Sequence, residues 1–365
     1  MKICIDLTSV SYHMSGIERY ALYITEQMLA QDKVNSYILI CRNSVPEILR
    51  KYMDPKRIQA IVLQGNNKIL FNQIALPRAV NKTKADAYLF LAFTSPLLVR
   101  KGKLYNTIHD MAIWDCGDTV TLRQRLYFKP LIYFAAKRSK RVFTVSEFSR
   151  GRIAELQKVD KRKIDVIPSA IAPDFKIRSG ISFEEVQKRY NLPQRYIMSL
   201  STMEPRKNIG FLIEAFCQAA EKVNYDLVLV GRIGWKMKDF IGNIQQQRRI
   251  HFIGFVEDRY VSCIYQNALC FVFPSIYEGF GLPPLEALAL GTPVISSNAA
   301  SMPEVLQEQA VYYRYDDQEN LRELLLHLEE KISHMPLGLN SYQKENFCFE
   351  KSAKKILDIL SADQK

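Results

Sequence analysis

The sequence lacks the patterns that mark zinc sites, disulfide frameworks and membrane spans. Its seven cysteines are scattered, odd in number and without a CxxC pair, so free thiols in a reducing cytoplasm are expected. Its five histidines form no HxxH or HxxxH pair, which leaves a zinc site without support. The longest apolar run, Ala87 to Phe93, is far shorter than the roughly 20 residues that a membrane-spanning helix needs.

Several catalytic and targeting signatures are missing as well. There is no GxGxxG, Walker A loop or GxSxG elbow, which counts against dehydrogenases, P-loop nucleotidases and serine hydrolases. Asp6 interrupts the first apolar run and no small-residue cleavage site follows it, so no secretory signal peptide is predicted. We therefore expect a cytoplasmic protein, with peripheral attachment to the inner face of the cell membrane as an option.

Basic residues are in excess, and the excess is concentrated in one segment. The net charge is +12, and the segment Leu122–Lys163 alone carries thirteen Lys or Arg against three Asp or Glu. Such a segment suits an anionic partner such as membrane headgroups, phosphates or nucleic acid. The alternative is a solvated face of two helices, and charge alone does not exclude it.

Short apolar runs that alternate with segments of helical periodicity predict parallel sheets flanked by helices. The predicted strands begin with KICIDL at residue 2 and end with TPVISS at residue 292. The pattern restarts after a linker at about residues 167–182 that holds two prolines and a glycine. We therefore predict an α/β domain over 1–175, a second over 176–340, and a C-terminal helix within 341–365 that packs back on the first.

The segment YEGFGLPPLEALALGTPV, residues 277–294, places two carboxylates in apolar surroundings. It follows a buried strand and contains two prolines, Pro283 and Pro284, that suit the first turn of a helix. Glu278 precedes that helix, and Glu286 is predicted in its first turn. Carboxylates there could hold sugar hydroxyls beside an anion bound at the helix N-terminus. The alternative is that Glu278 caps the helix and Glu286 complements its dipole.

Three further segments follow predicted strands. In STMEPRKNIG, residues 201–210, the adjacent cations Arg206 and Lys207 suit a diphosphate, or form a solvated basic turn. In TIHDM, His109 and Asp110 could do acid–base work. In SGIERY, Gly16 resembles the tight turn of a phosphate-binding loop without the full motif.

Taken together, these segments resemble the large retaining glycosyltransferase family 4, whose fold is GT-B. The spacing of Glu278 and Glu286 within EGFGLPPLEALALGTPVISSN carries most of the resemblance, and TIHD, STMEPRKN, LVGRIGW and FIGFVEDRY follow in family order. Among its members the chain looks most like bacterial mannosyltransferases of surface polysaccharide synthesis. The resemblance implies two Rossmann-like domains facing across a cleft.

The resemblance also implies roles for single residues. Arg206 and Lys207 would hold the donor diphosphate, Glu286 the ribose hydroxyls, and Glu278 the transferred sugar. With His109, which would contact that sugar from the first domain, the cations and Glu278 are the catalytic candidates. The remaining donor-binding candidates are Gly279, Phe280, Gly281 and Leu282 at the sugar and distal phosphate, Val256 at the nucleobase, and Gly16 at phosphate and acceptor.

The chain departs from the family pattern in three places. Ser15 stands where many members have a second glycine, Thr202 where many have an arginine, and Ser169 where an asparagine is usual. Because Thr202 carries no charge, Arg206 must supply the second cation for the diphosphate. The absence of a DxD motif and the cationic site imply that neither a metal nor a cofactor is needed.

We therefore expect a retaining, metal-independent hexosyltransferase. It would move a sugar, mannose from GDP-mannose first and UDP- or dTDP-sugars next, to a hydroxyl of a growing, lipid-linked surface glycan. The basic segment would face anionic lipid or a lipid-diphosphate acceptor. One alternative is a nucleotide-sugar epimerase or hydrolase on the same fold. The other is a nucleic-acid-binding protein, although no nucleic-acid-binding motif is present and no such partner is expected.

Overall fold

The computed structural model describes residues 1–11, 14–65, 71–99, 102–173, 175, 181–234 and 247–364. These residues form two compact units, one made of 1–172 with 345–365 and the other of 173–344. Residues 174 and 176–180 of the expected linker, and Trp235 of the LVGRIGW segment, lie outside the described residues.

The first unit contains a seven-stranded sheet in the order β3-β2-β1-β4-β5-β6-β7, and every neighbouring pair is parallel. Its strands are β1 (Lys2–Leu7), β2 (Ser36–Arg42), β3 (Ile58–Leu63), β4 (Ala87–Phe90), β5 (Lys103–Thr107), β6 (Arg141–Thr144) and β7 (Ile164–Val166).

The second unit contains a six-stranded parallel sheet in the order β10-β9-β8-β11-β12-β13. Its strands are β8 (Tyr196–Leu200), β9 (Asp226–Val230), β10 (Ile250–Gly254), β11 (Cys270–Phe273), β12 (Val294–Ser297) and β13 (Ala310–Tyr313). Two parallel α/β units confirm the predicted fold class.

Helices connect the strands in both units. In the first unit they span Gly16–Gln31, Glu47–Arg50, Leu76–Thr83, Ala112–Asp115, Leu122–Arg138, Glu147–Gln157 and Phe349–Ala362, with a π-helical turn at Phe71–Ala75. In the second unit they span Phe183–Tyr190, Ile209–Ala219, Asp258–Asn267, Leu282–Ala289, Met302–Leu306, Gln318–Leu326 and Leu328–Ser333, and Ser341–Asn346 lies at the boundary. Short 3-10 turns at Gly117–Thr119, Lys161–Lys163, Pro205–Lys207, Ala220–Lys222 and Gln307–Gln309 complete the described elements.

The last helix, Phe349–Ala362, packs on helix Gly16–Gln31 within the first unit. The rings of Tyr23 and Phe349 stack with centroids 5.4 Å apart, and Ser352 Oγ donates to the Pro168 carbonyl at 2.8 Å. These contacts hold the C-terminal segment against the first sheet's helices.

The described residues place no long apolar helix of the kind that crosses a membrane. All seven cysteines have free thiols, as the sequence predicted.

Candidate active site

The candidate site of the second unit lies where β8 and β11 end. These strands are hydrogen-bonded neighbours and run parallel, so the loops that follow them meet at the same edge of the sheet. The loop after β8 contains the 3-10 turn Pro205–Lys207, and the loop after β11 leads into helix Leu282–Ala289. Ligands of open parallel α/β sheets bind at this carboxyl edge.

At this edge Glu278 binds both cations, Arg206 and Lys207, that were predicted to hold the donor diphosphate. Its Oε1 accepts hydrogen bonds from Lys207 Nζ and, at 2.7 Å, from Ser275 Oγ. Its Oε2 lies 3.2 Å from Arg206 Nη1, which also donates to the Tyr277 carbonyl at 3.1 Å. The side chain of Glu278 is only 11% exposed and that of Lys207 only 12%, so solvent screens this pair weakly.

The electrostatics of the cluster favour an ionised Glu278. Burial alone would raise the pKa of this carboxyl, but the charges of Lys207 and Arg206 and the hydrogen bonds from Lys207 and Ser275 bring it to about 2. Burial lowers the pKa of the Lys207 ammonium, Glu278 opposes that shift, and Arg206 adds to it. The carboxylate is therefore the group that compensates the buried ammonium.

The sequence analysis did not identify two further side chains of this cluster. Ser275 lies three residues before Glu278 and donates to it, and Glu204 Oε2 lies 3.6 Å from Arg206 Nε. Each contact joins residues two or three positions apart in one loop, so the sequence shows their proximity along the chain but not that the side chains meet. Two carboxylates and two cations make the cluster nearly neutral without a ligand.

The segment before helix Leu282–Ala289 needs glycine at position 281. Gly281 is the N-cap residue and adopts φ of +94°, a left-handed conformation that glycine tolerates best. A Cβ atom there would lie 2.4 Å from Cε of Met302, but this is the flexible end of a side chain, so the backbone conformation is the main reason for glycine. Glu278 does not cap the helix, which removes one alternative for its role.

The position of Glu286 in the helix corrects the sequence prediction. Because the left-handed Gly281 is the N-cap, the helix begins at Leu282, and Glu286 is its fifth residue rather than a residue of the first turn. Leu285 and Leu288 are buried, as expected, while Glu286 is half-buried. The helix dipole acts mainly within the first turn, so its interaction with Glu286 is weak. Dipole complementation thus explains Glu286 poorly.

Three other donor-binding candidates of the second unit lie between β11 and the start of helix Leu282–Ala289, and Val256 follows β10. Gly279 and Phe280 are buried between Glu278 and the helix, and Leu282 is its first residue. Ser301 Oγ donates to the Glu278 carbonyl at 3.0 Å and fixes that part of the loop. Val256 is buried two residues beyond β10.

His109 lies just beyond β5 in the first unit. Its Nε2 is 3.0 Å from the Leu91 carbonyl, an acceptor, so Nε2 carries the proton and Nδ1 is the unprotonated nitrogen. Burial lowers the pKa of His109, which favours the neutral ring. The ring meets Tyr20 edge to face at 5.1 Å. Asp110 Oδ1 accepts from the N–H of Ala112, the first residue of the following helix, at 2.9 Å.

A cavity of about 180 Å³ adjoins His109 within the first unit. Its lining is mainly apolar and includes Phe128 and Ile132 of helix Leu122–Arg138, with Ile17 beside the N-terminus of helix Gly16–Gln31. Gly16 is the first residue of that helix, after the N-cap Ser15, whose N–H donates to Glu18 at 2.7 Å. Ser15 adopts φ of −81°, so this position does not require glycine.

Helix Leu122–Arg138 exposes apolar side chains on one face. Leu122, Leu126, Tyr133 and Phe134 are each more than two-fifths exposed. Spacings of four and seven residues keep the first three on one side of the helix, and Phe134 lies next to Tyr133, about 100° around the helix axis. Between residues 122 and 146 the chain has seven Lys or Arg and no Asp or Glu. We call these four apolar side chains with the basic residues of the same helix the basic–apolar face.

Two family profiles match most of the chain. The profile described as Glycosyltransferase Family 4 matches residues 14–175, and the profile described as Glycosyl transferases group 1 matches residues 182–343. With two parallel α/β units, these matches define a glycosyltransferase of the GT-B class. The chain belongs to glycosyltransferase family 4, which confirms the resemblance.

The chain is also similar to individual proteins. It is 29% identical over 323 residues to O-antigen chain mannosyltransferase B of Escherichia coli, covering 84% of each chain. It is 30% identical over 228 residues to O-antigen chain mannosyltransferase RfbU of Salmonella typhimurium, covering 61% of this chain and 60% of that protein. The crystal structure of Anabaena HepE in complex with UDP and glucose matches with a TM-score of 0.74 at 16% identity, over 99% of this chain and all of that one, which shows the shared fold.

Proposed function

We propose that this chain transfers mannose from GDP-mannose, with retention, to a hydroxyl of a growing lipid-linked surface glycan. The O-antigen mannosyltransferases to which it is similar support the sugar and the class of product. The observation that carries the proposal is the buried cluster of Arg206, Lys207 and Glu278 at the carboxyl edge of the second sheet.

The cations of this cluster suit the diphosphate of the donor. Arg206 offers several N–H donors and Lys207 a compact charge, and both bind Glu278, which lies four residues before helix Leu282–Ala289. A diphosphate carries more charge than Glu278, so it can take over hydrogen bonds that the carboxylate accepts in the absence of a ligand. The backbone of residues 280–282 would then receive the distal phosphate.

Glu278 would turn to the hydroxyls of the transferred sugar once the diphosphate shares its cations. Glu286, one turn further along the helix, would accept hydrogen bonds from the ribose hydroxyls. His109, neutral and with Nδ1 unprotonated, would accept a hydrogen bond from a hydroxyl of the donor sugar.

The reaction breaks the bond between the anomeric carbon and the leaving phosphate oxygen. The acceptor oxygen forms its bond to that carbon on the same face, and its proton passes to the leaving phosphate. Arg206, Lys207 and the helix N-terminus would stabilise the charge that develops on the diphosphate, so no metal is required. The described residues hold no cluster of three His, Cys, Asp or Glu side chains suited to a metal, and metal independence stays a prediction.

We also propose that the basic–apolar face rests on the anionic inner leaflet of the cell membrane, where a lipid-linked acceptor would be found. Each Lys or Arg near such a surface contributes about 1 kcal/mol, and exposed leucines and aromatic rings add apolar burial. The exposed apolar side chains argue against the alternative of a solvated helix face, which would present polar groups.

Thermal stabilisation by a panel of nucleotide sugars tests the donor. A ligand at 100 times its Kd adds about 2.7 kcal/mol, so GDP-mannose should raise the melting temperature more than the UDP- and dTDP-sugars do. Stabilisation by none of these ligands would contradict the proposal. Release of free sugar or of an epimer without acceptor would favour the epimerase or hydrolase alternative, and DNA retention that survives excess nucleotide sugar would favour nucleic-acid binding.

A further inference from the structure

Arg232 and Phe255 form a pair at the carboxyl edge of the second sheet. Arg232 lies two residues beyond β9, and Phe255 lies one residue beyond β10. The guanidinium carbon of Arg232 is 4.6 Å from the centroid of the Phe255 ring, a cation–π contact. Phe255 is 49% exposed and Arg232 is also exposed, so both side chains are accessible to a ligand.

Backbone contacts fix this pair relative to the turn that carries the phosphate candidates. The Gly231 N–H donates to the Gly254 carbonyl at 2.8 Å, and the Met203 N–H donates to the Arg232 carbonyl at 2.9 Å. Gly231 has φ of +133°, and a Cβ atom there would lie 1.9 Å from the Ser201 carbonyl oxygen. The loops after β8, β9 and β10 are therefore held tightly together.

The order of the strands places this pair at one end of a linear site. Strands β10, β9 and β8 are consecutive neighbours about 4.8 Å apart, so the end of β10, before Phe255, and the end of β8, before the turn of Arg206 and Lys207, lie about 10 Å apart along the edge. If the diphosphate lies on those cations, as the proposed function requires, a ribose can bridge this distance. The nucleobase then falls beside Phe255 and Arg232.

We propose that Arg232, held against Phe255, recognises the nucleobase of the donor and selects guanine. Arginine pairs with two adjacent acceptors, and guanine offers N7 and O6 in that arrangement, whereas uracil does not. Among the residues that the structure describes, the Arg232 guanidinium makes no hydrogen bond or salt bridge, and its contact is with the face of the Phe255 ring. Its N–H groups are thus available to a base that lies in the plane of the guanidinium.

Calorimetry with bare nucleotides tests this assignment and does not depend on the acceptor. The parent should bind GDP about tenfold more tightly than UDP. The affinity for 7-deaza-GDP, which lacks N7, should be close to the affinity for UDP. Arg232→Lys keeps the charge but loses the planar pair of donors, so GDP affinity should drop about tenfold while UDP affinity stays within about twofold. Phe255→Leu should weaken GDP binding in the same direction.

Arg195→Lys is the matched control. Arg195 is exposed and precedes β8, so it lies at the opposite edge of the same sheet, and its substitution should change neither affinity. Equal losses of GDP and UDP binding in Arg232→Lys would assign Arg232 to the diphosphate and overturn base recognition. Unchanged binding, or a parent that prefers UDP, would overturn it too while leaving nucleotide-sugar binding intact. A parent that binds neither nucleotide would refute the proposed function itself.

Discussion

Replacing Glu278 by Gln removes the charge at the centre of the buried cluster and keeps the shape of the side chain. The pKa of Glu278 is held at about 2 against an ordinary 4.5. At 1.4 kcal/mol for each pKa unit, the ionised carboxylate contributes about 3 kcal/mol to the free energy of unfolding at neutral pH. Because the folded-state pKa is the lower one, this contribution is present above about pH 4.5 and is lost as the pH falls towards 2.

Urea unfolding of the parent and the variant measures this contribution. At pH 7 Glu278→Gln should be less stable by about 3 kcal/mol, and the difference should shrink in measurements near pH 3. Glu204→Gln is the matched control, since Glu204 lies 3.6 Å from Arg206 and is one-third exposed, so it should cost less than about 1 kcal/mol. Equal stability of parent and Glu278→Gln at pH 7 would refute the buried ion pair.

The same variant separates the structural role of Glu278 from its role in binding. In the parent the carboxylate competes with a diphosphate for Arg206 and Lys207, so the variant should bind bare GDP as tightly as the parent or more tightly. Turnover of the full donor should nevertheless fall by about tenfold or more, because a hydrogen bond to a charged group is worth about 1.5–3 kcal/mol. A variant that loses GDP affinity tenfold would contradict this competition.

Three further predictions concern Glu286, metal dependence and the basic–apolar face. Glu286→Gln should weaken binding of both GDP and GDP-mannose about tenfold in calorimetry, whereas unchanged affinity with a lower melting temperature would make Glu286 structural. EDTA should leave turnover unchanged, and a loss that Mg²⁺ or Mn²⁺ restores would show that the cations alone do not hold the diphosphate. In sedimentation with phosphatidylglycerol vesicles, the parent should bind at low salt and dissociate as salt rises, and Leu126→Glu should reduce binding severalfold. Leu337→Glu, at a leucine that is 67% exposed against 69% for Leu126, should have little effect, and equal binding of the parent to neutral vesicles would contradict the electrostatic part.

The strands predicted from the sequence were the inner strands of both sheets and one edge strand, β10. β4, β11 and β12 are buried at every position, and β4 and β11 appear as continuous apolar runs, whereas β12 ends in two buried serines. β3, β7 and β13 were not predicted, and each lies at the edge of its sheet with partly exposed positions. An edge strand has one neighbour and less apolar surroundings, so its sequence carries a weaker signal.

The candidate site shows the same division between local and non-local information. Glu278, Arg206 and Lys207 could be placed at the ends of strands from the sequence alone. Their direct pairing could not be predicted, because it depends on β8 and β11 being neighbours in the sheet. The pairing of Arg232 with Phe255 likewise depends on β9 and β10 being neighbours in the sheet. The position of Glu286 was predicted wrongly because helix Leu282–Ala289 begins one residue earlier than expected, which places Glu286 beyond the first turn.

Retaining transfer of mannose to a lipid-linked acceptor is tested most directly by two measurements: acceptor-dependent release of GDP from GDP-mannose, and NMR of the product. The parent should release GDP only when a lipid-linked glycan acceptor is present, and the new glycoside should keep the α configuration of the donor. Lys207→Met should abolish this release, while Lys222→Met, at an exposed lysine of the same unit, should not. Release of free mannose without acceptor, an inverted product, or full activity in Lys207→Met would each contradict the account.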